Sequence, residues 1–312
     1  MGSSRETLTV GALCVTWYAL SSASNVVGKL VLTEFPFPMT VTMVQLLSTV
    51  LYSMPAFAAC NVRRAPKFPW KYYFKVLIPL AIAKFFTTMF SQISIWKVPI
   101  SYAHTVKATT PLWTAALARV LFGERQSARV QAALLLIAGG VALASATELQ
   151  FDALGLGAAL AAAALLSLQH LYSKRVMRDS GVHPLRLLQM LSALALVPLA
   201  PAWLWAEGGA LDDAAPGEHA AALLAADGAL AWLQALAAFS VLSRVSPLAY
   251  AVASAAKRGV VVGASLLLLR NPTPPANLAG MSLALLGALA YNRAKVLAPP
   301  RPPDDRRPLL PV

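Results

Sequence analysis

Residues 251–268, AVASAAKRGVVVGASLLL, set Lys257 and Arg258 side by side in a run that is otherwise apolar. A compact ammonium next to a forked guanidinium suits the oxygens of a phosphate. A comparable cation stands in SYAHTVKATTPLW, where Lys107 follows His104 by three residues and precedes Thr110 by three. That spacing places His104, Lys107 and Thr110 on one face of a helix. Pro111 then removes a backbone donor and leaves the Lys107 carbonyl without its usual partner, so the helix is expected to break beside its cation. Tyr250, Ser254 and Lys257, spaced by four and three, form a second stripe with Arg258 one step round. Together these residues describe a pocket for an anion.

The elements that hold them must be membrane helices. Of 312 residues, 58% are hydrophobic and 12% charged, with a mean hydropathy of +0.62. Soluble domains carry about 25% charged residues. Apolar runs long enough to cross a bilayer fall at 7–33, 39–60, 76–97, 100–123, 130–147, 153–175, 184–206, 220–243, 246–270 and 276–297. The first lacks a cleavage site of small residues after a short apolar core and reads as a true span. The eighth is the weakest, because Asp227 and Gly228 interrupt it. Cys14 and Cys60 have neither a disulfide nor a metal spacing and are expected to pack. No cofactor motif or metal site is expected.

Charge placement supports an even number of spans. With the N-terminus, the even loops and the C-terminal tail on one side, 19 of the 26 Lys and Arg residues collect there, against Lys97 and Arg270 on the other. The positive-inside rule then puts both termini in the cytoplasm. The net charge of +13 reports these loops. No basic domain with interleaved aromatics is present, so no nucleic-acid partner is expected. Residues 1–6 form an N-terminal tail, and the proline-rich 298–312 is expected to be a disordered one. A shift of 147 residues lays KVPISYAHTVK on RVSPLAYAVAS and Gly140 on Gly287. The chain thus reads as an all-α membrane protein of ten helices in two repeats, about 7–147 and 153–297. Five spans per repeat turn the second upside down, with a site expected at the midplane between them.

Five cations remain inside the spans: Lys29, Lys84, Lys107, Lys257 and Arg258, with Asp227 as the one acid. Each charge costs roughly 2.5–3.5 kcal/mol at a helix centre. Lys29 and Lys84 lie where snorkelling to the headgroups is an alternative reading; the other three lie too deep for it. Absent carboxylates cannot neutralise them, so a phosphorylated small molecule is the expected partner, with the lipid bilayer around it. An enzyme is not expected, since the spans hold no HExxH, GxSxG or paired carboxylates. Proton-coupled uptake is disfavoured too, because only Asp227 and His104 could titrate usefully. A non-transporting protein that binds an anionic lipid headgroup is the competing reading, and it would favour interfacial cations. The chain could also pair as a homodimer.

At these residues the sequence resembles a known family. SYAHTVKATTPLW, SLQHLYSKRVMRD and SPLAYAVASAAKR, with NVVGK in the first span, resemble the triose-phosphate translocator group of the drug/metabolite transporter superfamily, especially subfamily E of solute carrier family 35. The resemblance covers about residues 8–297. It implies the drug/metabolite transporter fold and an alternating-access antiporter in the Golgi or another secretory membrane. The implied exchange is of a sugar phosphate or nucleotide sugar against phosphate or a nucleotide. It also implies that Lys107, Lys257 and Arg258 hold the phosphate. Plastid members carry His and Thr where Thr88 and Ser91 fall, and Tyr where Gln234 falls, which makes these three candidates for contact with the rest of the substrate. Gly28 and Ser254 stand where relatives usually have Asn.

Overall fold

Proline placement sets most of the helix starts. A first-turn proline has no amide to leave unpaired, and its φ already suits a helix. The computed structural model describes residues 2–59, 62, 66, 68–123, 126–209, 217–242, 244–245 and 247–297. Ten helices run through them: α1 Gly2–Glu34, α2 Pro38–Ala59, α3 Trp70–Lys97, α4 in two pieces (α4a Ile100–Lys107 and α4b Thr110–Phe122), α5 Ala128–Ala146, α6 Ala153–Ser180, α7 Pro184–Gly208, α8 Glu218–Leu242, α9 Pro247–Leu269 and α10 Pro275–Val296. Proline opens α2, α7, α9 and α10, and Pro99 precedes α4a. Asp152 caps α6, accepting from Gly155 N at 2.7 Å. Gly123 and Gly181 end α4b and α6 at φ 65° and 64°, which only glycine adopts without strain. In α3 a π turn at Tyr73–Leu77 precedes Pro79, which has no N–H for the regular ladder.

The expected segments match these helices to within a few residues at most ends, and no strand occurs among the described residues. Eight helices are long and apolar enough to cross a membrane; α4, cut by its break, and α10 are the exceptions. The eighth segment is corrected. Asp227 and Gly228 lie inside a continuous α8, because Gly228 lets Ser48 and Val44 of α2 approach where any side chain would stand. Cys60, Arg63, Arg64, Lys67, Arg125, the acidic residues at 212–213 and the tail at 298–312 lie outside the described residues.

Helix pairing repeats with a period of five. The α1–α8 pair is answered by α6–α3, α2–α8 by α7–α3, and α1–α9 by α6–α4; α5–α10, α2–α7 and α4–α9 map onto themselves. Such a pattern is what a pseudo-twofold axis between the halves α1–α5 and α6–α10 produces. The most extensive pair is α5–α10, which runs antiparallel. A Cβ on Gly140 would overlap the backbone of Ala284 and Gly280, and one on Gly287 would overlap the backbone of Ile137. Ile137 to Ala284 and Gly140 to Gly287 are both steps of 147 residues, so the two contacts are copies of one another. Small residues bring two membrane helices together in this way without a solvent-driven force.

One buried acid does structural work at the end of the bundle. Glu207, closing α7, accepts from Met39 N at 2.9 Å, Thr40 N at 2.8 Å and Thr40 Oγ1 at 2.7 Å. A carboxylate at the start of α2 completes donors that the first helical turn leaves unpaired.

Candidate functional site

The break in α4 forms where the proline rule puts it. Lys107 O lacks an amide partner at Pro111 and instead accepts from Thr110 Oγ1 at 2.6 Å and from Arg258 Nη1 at 2.9 Å. Arg258, from the second half, therefore completes the backbone of the first half at the residue that carries Lys107. α6 braces the same turn: Ser167 Oγ donates to Thr110 O at 2.9 Å.

Around this turn the cations converge. Lys107 Nζ donates to Ser91 Oγ on α3 at 2.5 Å. Lys257 Nζ lies 5.1 Å from the centroid of the Trp17 ring, and Tyr250 stacks on that indole at 5.3 Å with 16° between planes. Lys107 is within Coulomb range of Arg258 and Lys257, and His104 of all three. His104 Nε2 donates to Asn25 Oδ1 at 2.7 Å. Among the described residues Lys257 has no hydrogen-bond acceptor, Lys107 has one hydroxyl, and Arg258 uses one of its five N–H groups on a carbonyl. Among the described residues no acid pairs with any of them. Like charges brought together and partly withdrawn from water call for an anion to join them.

A cavity lies on either side of this cluster. One of about 270 Å³ is lined by Arg258, Tyr250, Ser254, Thr114, His170 and Asn292, among others, toward the end where α9 begins and α10 finishes. The other, about 130 Å³, is lined by Asn25, Gly28, Gln45, Ser91, Gln92 and Gln234, among others, toward the end where α1 and α3 finish. Lys107 and His104 reach its wall through Ser91 and Asn25.

Six of the ten residues proposed from the sequence thus meet in one place: Lys107, Lys257, Arg258, His104, Tyr250 and Ser91. Gln234 lines the smaller cavity and is hydrogen-bonded to Ser21. Thr88 donates to Lys84 O at 3.1 Å, and neither residue lines either of these two cavities. Lys29 does not reach the cluster. Its ammonium donates to Ile95 O at 2.8 Å, Trp96 O at 3.0 Å and Val98 O at 3.2 Å, closing the C-terminal end of α3. Lys29→Met is therefore expected to destabilise the protein by about 2–3 kcal/mol, since buried acceptors lose a charged donor, with phosphate affinity unchanged within about twofold. Thermal unfolding with and without phosphate measures both; a larger loss of affinity than of stability would return Lys29 to the site. Sequence reasoning missed Asn25, Trp17, His170 and Asn292. Asn25 and His170 sit inside quoted motifs, NVVGK and SLQHLYSK, but nothing local says which way they face.

Residues 8–292 match the sequence profile of the Triose-phosphate Transporter family. The chain belongs to that family. Among its relatives, phosphoenolpyruvate/phosphate translocator 3 of rice chloroplasts is 34% identical over 96% of this chain and 77% of its own length. Glucose-6-phosphate/phosphate translocator 1 of Arabidopsis thaliana chloroplasts is 29% identical over 93% of this chain and 76% of its own. A solved structure covering 95% of the chain and 99% of its own superposes with a TM-score of 0.57 at 19% identity, which fixes the fold alone. Family membership makes the chain a multi-pass membrane transporter of the drug/metabolite superfamily. These relatives give no support to nucleotide sugars or to a Golgi membrane.

Proposed function

We propose that the protein is an antiporter that exchanges a phosphorylated metabolite for inorganic phosphate by alternating access, through ten spans with both termini in the cytoplasm. The observation that carries this reading is the meeting of Lys107, Lys257 and Arg258 at the break of α4, between two cavities, with no acid to answer them. A phosphate group has the charge and the oxygens to occupy that place. The same imbalance favours exchange over one-way flow. An empty carrier would have to reorient bare positive charge through a low-dielectric centre, whereas a loaded one is close to neutral there. The names of the relatives point to the same chemistry, a phosphorylated metabolite against phosphate. A lipid headgroup site fits less well, because the three cations lie at the break of α4 and part-way along α9, away from the ends of the spans.

Liposomes containing the purified protein test the reading. Uptake of labelled phosphate at equal pH on both sides is expected to rise at least about tenfold when phosphate is trapped inside, the margin set by the charge the empty carrier must move. Equal uptake with and without internal phosphate, or none in either case, would remove it.

A further inference from the structure

Asp227 has no part in the phosphate clamp, yet its surroundings are those of a group that changes charge. We propose that it takes up and releases a proton during transport, giving the carrier a second mode: net uptake of a phosphorylated anion together with one proton. The inference rests on the exchange reading above and adds to it.

Asp227 is 0% exposed at the middle of α8. Its Oδ2 accepts from Gln45 Nε2 at 2.8 Å, and Gln45 Oε1 accepts from Gln92 Nε2 at 2.8 Å. Its Oδ1 is buried with no donor, as is Gln92 Oε1. The amide chain thus runs one way and ends on a carboxyl group with one oxygen unanswered. A carboxylate held there permanently, with one neutral donor, would be costly; a protonated carboxyl finds its acceptor in Gln45 Oε1 once that amide turns over, so the site accommodates both charge states.

No titratable group among the described residues of the packed helices relieves it; Glu34 on α1 pairs instead with His219 Nδ1, at 2.7 Å, at the start of α8. On α1, Lys29 is bound to the end of α3, while Cys14 and Tyr18 pack with Trp17. On α2, Tyr52 rests against Trp232. On α7, Glu207 caps α2, and on α9 Tyr250 and Lys257 lie against Trp17. None of these hydrogen-bonds to Asp227.

The geometry also supplies a path and a link. Gln45, the donor to Asp227, lines the smaller cavity, and Gly28 of the same lining packs toward Oδ1, which lies 3.3 Å from the place its missing Cβ would take. Gln92 follows Ser91, the partner of Lys107, and Gly28 lies one turn from Asn25, the partner of His104. When the cluster is empty, an ionised Asp227 lowers the net positive charge that must cross. When a phosphate dianion arrives, the carboxylate takes a proton from water in the cavity, forming the O–H bond at Oδ1. After reorientation and release of the anion that bond ionises, and the proton leaves to the opposite side. In exchange both legs carry the proton, and none moves net.

The test uses the reconstituted full chain without internal phosphate. An inside-alkaline gradient of one pH unit is expected to stimulate net phosphate uptake by wild type about fivefold to tenfold, the change in carboxyl occupancy that one unit allows. D227N is expected to keep phosphate exchange at equal pH and lose this stimulation; comparing the two proteins cancels the titration of phosphate itself. Equal stimulation in both, or none in wild type while exchange proceeds, overturns the proposal and leaves the exchange reading intact. Absence of exchange in wild type would instead sink that reading. Should D227N not fold, difference infrared spectra of wild type decide: phosphate either brings up the C=O stretch of a protonated carboxyl, as expected, or does not, which overturns the proposal.

Discussion

A Lys257→Met protein is expected to exchange phosphate at least about thirtyfold more slowly than wild type, while its empty form melts at a higher temperature. The two effects have one cause. Lys257 has no hydrogen-bond acceptor among the described residues and shares its surroundings with Lys107 and Arg258. Methionine keeps the length of the side chain and removes a buried charge worth roughly 2.5–3.5 kcal/mol at a helix centre, against about 0.5–2 kcal/mol of cation–π attraction to Trp17. The empty protein therefore gains. With phosphate bound the balance reverses, since losing one partner of a buried charged contact costs about 2–5 kcal/mol, or roughly 30-fold to several-thousand-fold in affinity. Arg258→Lys makes the contrast. It keeps the charge but loses the fork and the bond that completes Lys107 O, so exchange should fall about tenfold with no gain in melting temperature. Labelled phosphate exchange and thermal unfolding of the empty protein read both; a Lys257→Met protein with full exchange would remove the residue from the clamp.

The second large effect lies away from the charges. Gly140→Val is expected to leave no folded carrier in detergent, and Gly140→Ala to destabilise it by about 2–3 kcal/mol. The atoms that a Cβ would meet are backbone atoms of Ala284 and Gly280, which cannot move aside as a side chain does. Gly139 provides the control. Nothing lies within 4 Å of the place its Cβ would occupy, so Gly139→Ala should be neutral or stabilise slightly. Size-exclusion profiles and melting temperatures separate the pair. Equal behaviour of the two alanine variants would mean that α5 and α10 are not packed backbone to backbone.

The parts of this molecule legible in its sequence are those set by local chemistry. A proline four residues after Lys107 removes one hydrogen bond wherever the helix lies, so the break in α4 could be read from SYAHTVKATTPLW alone. The depth of Lys107, Lys257 and Arg258 along their helices followed from their distance to the nearest polar punctuation. The glycine register of 147 was also visible, because close helix approach leaves few other residue types. What stayed hidden depends on partners far away in the chain. Lys29 meets carbonyls 66 to 69 residues later, and Gln45 meets Asp227 182 residues on. Hydropathy gave Lys29 two roles, at the headgroups or at the substrate, and could not show that its ammonium closes the end of α3. Gly228 beside Asp227 read as an interruption, because its reason for being there sits on α2.

The seam between α5 and α10 has a mechanical consequence. Two helices that touch through their main chains, in a register repeated by Gly140 and Gly287, cannot slide along one another without lifting apart first. They can still turn about their line of contact. The seam is thus a natural fulcrum, and a carrier built on it would expose its guest to one compartment or the other by tilting its halves like the arms of a balance, with the shortest travel at the glycines themselves.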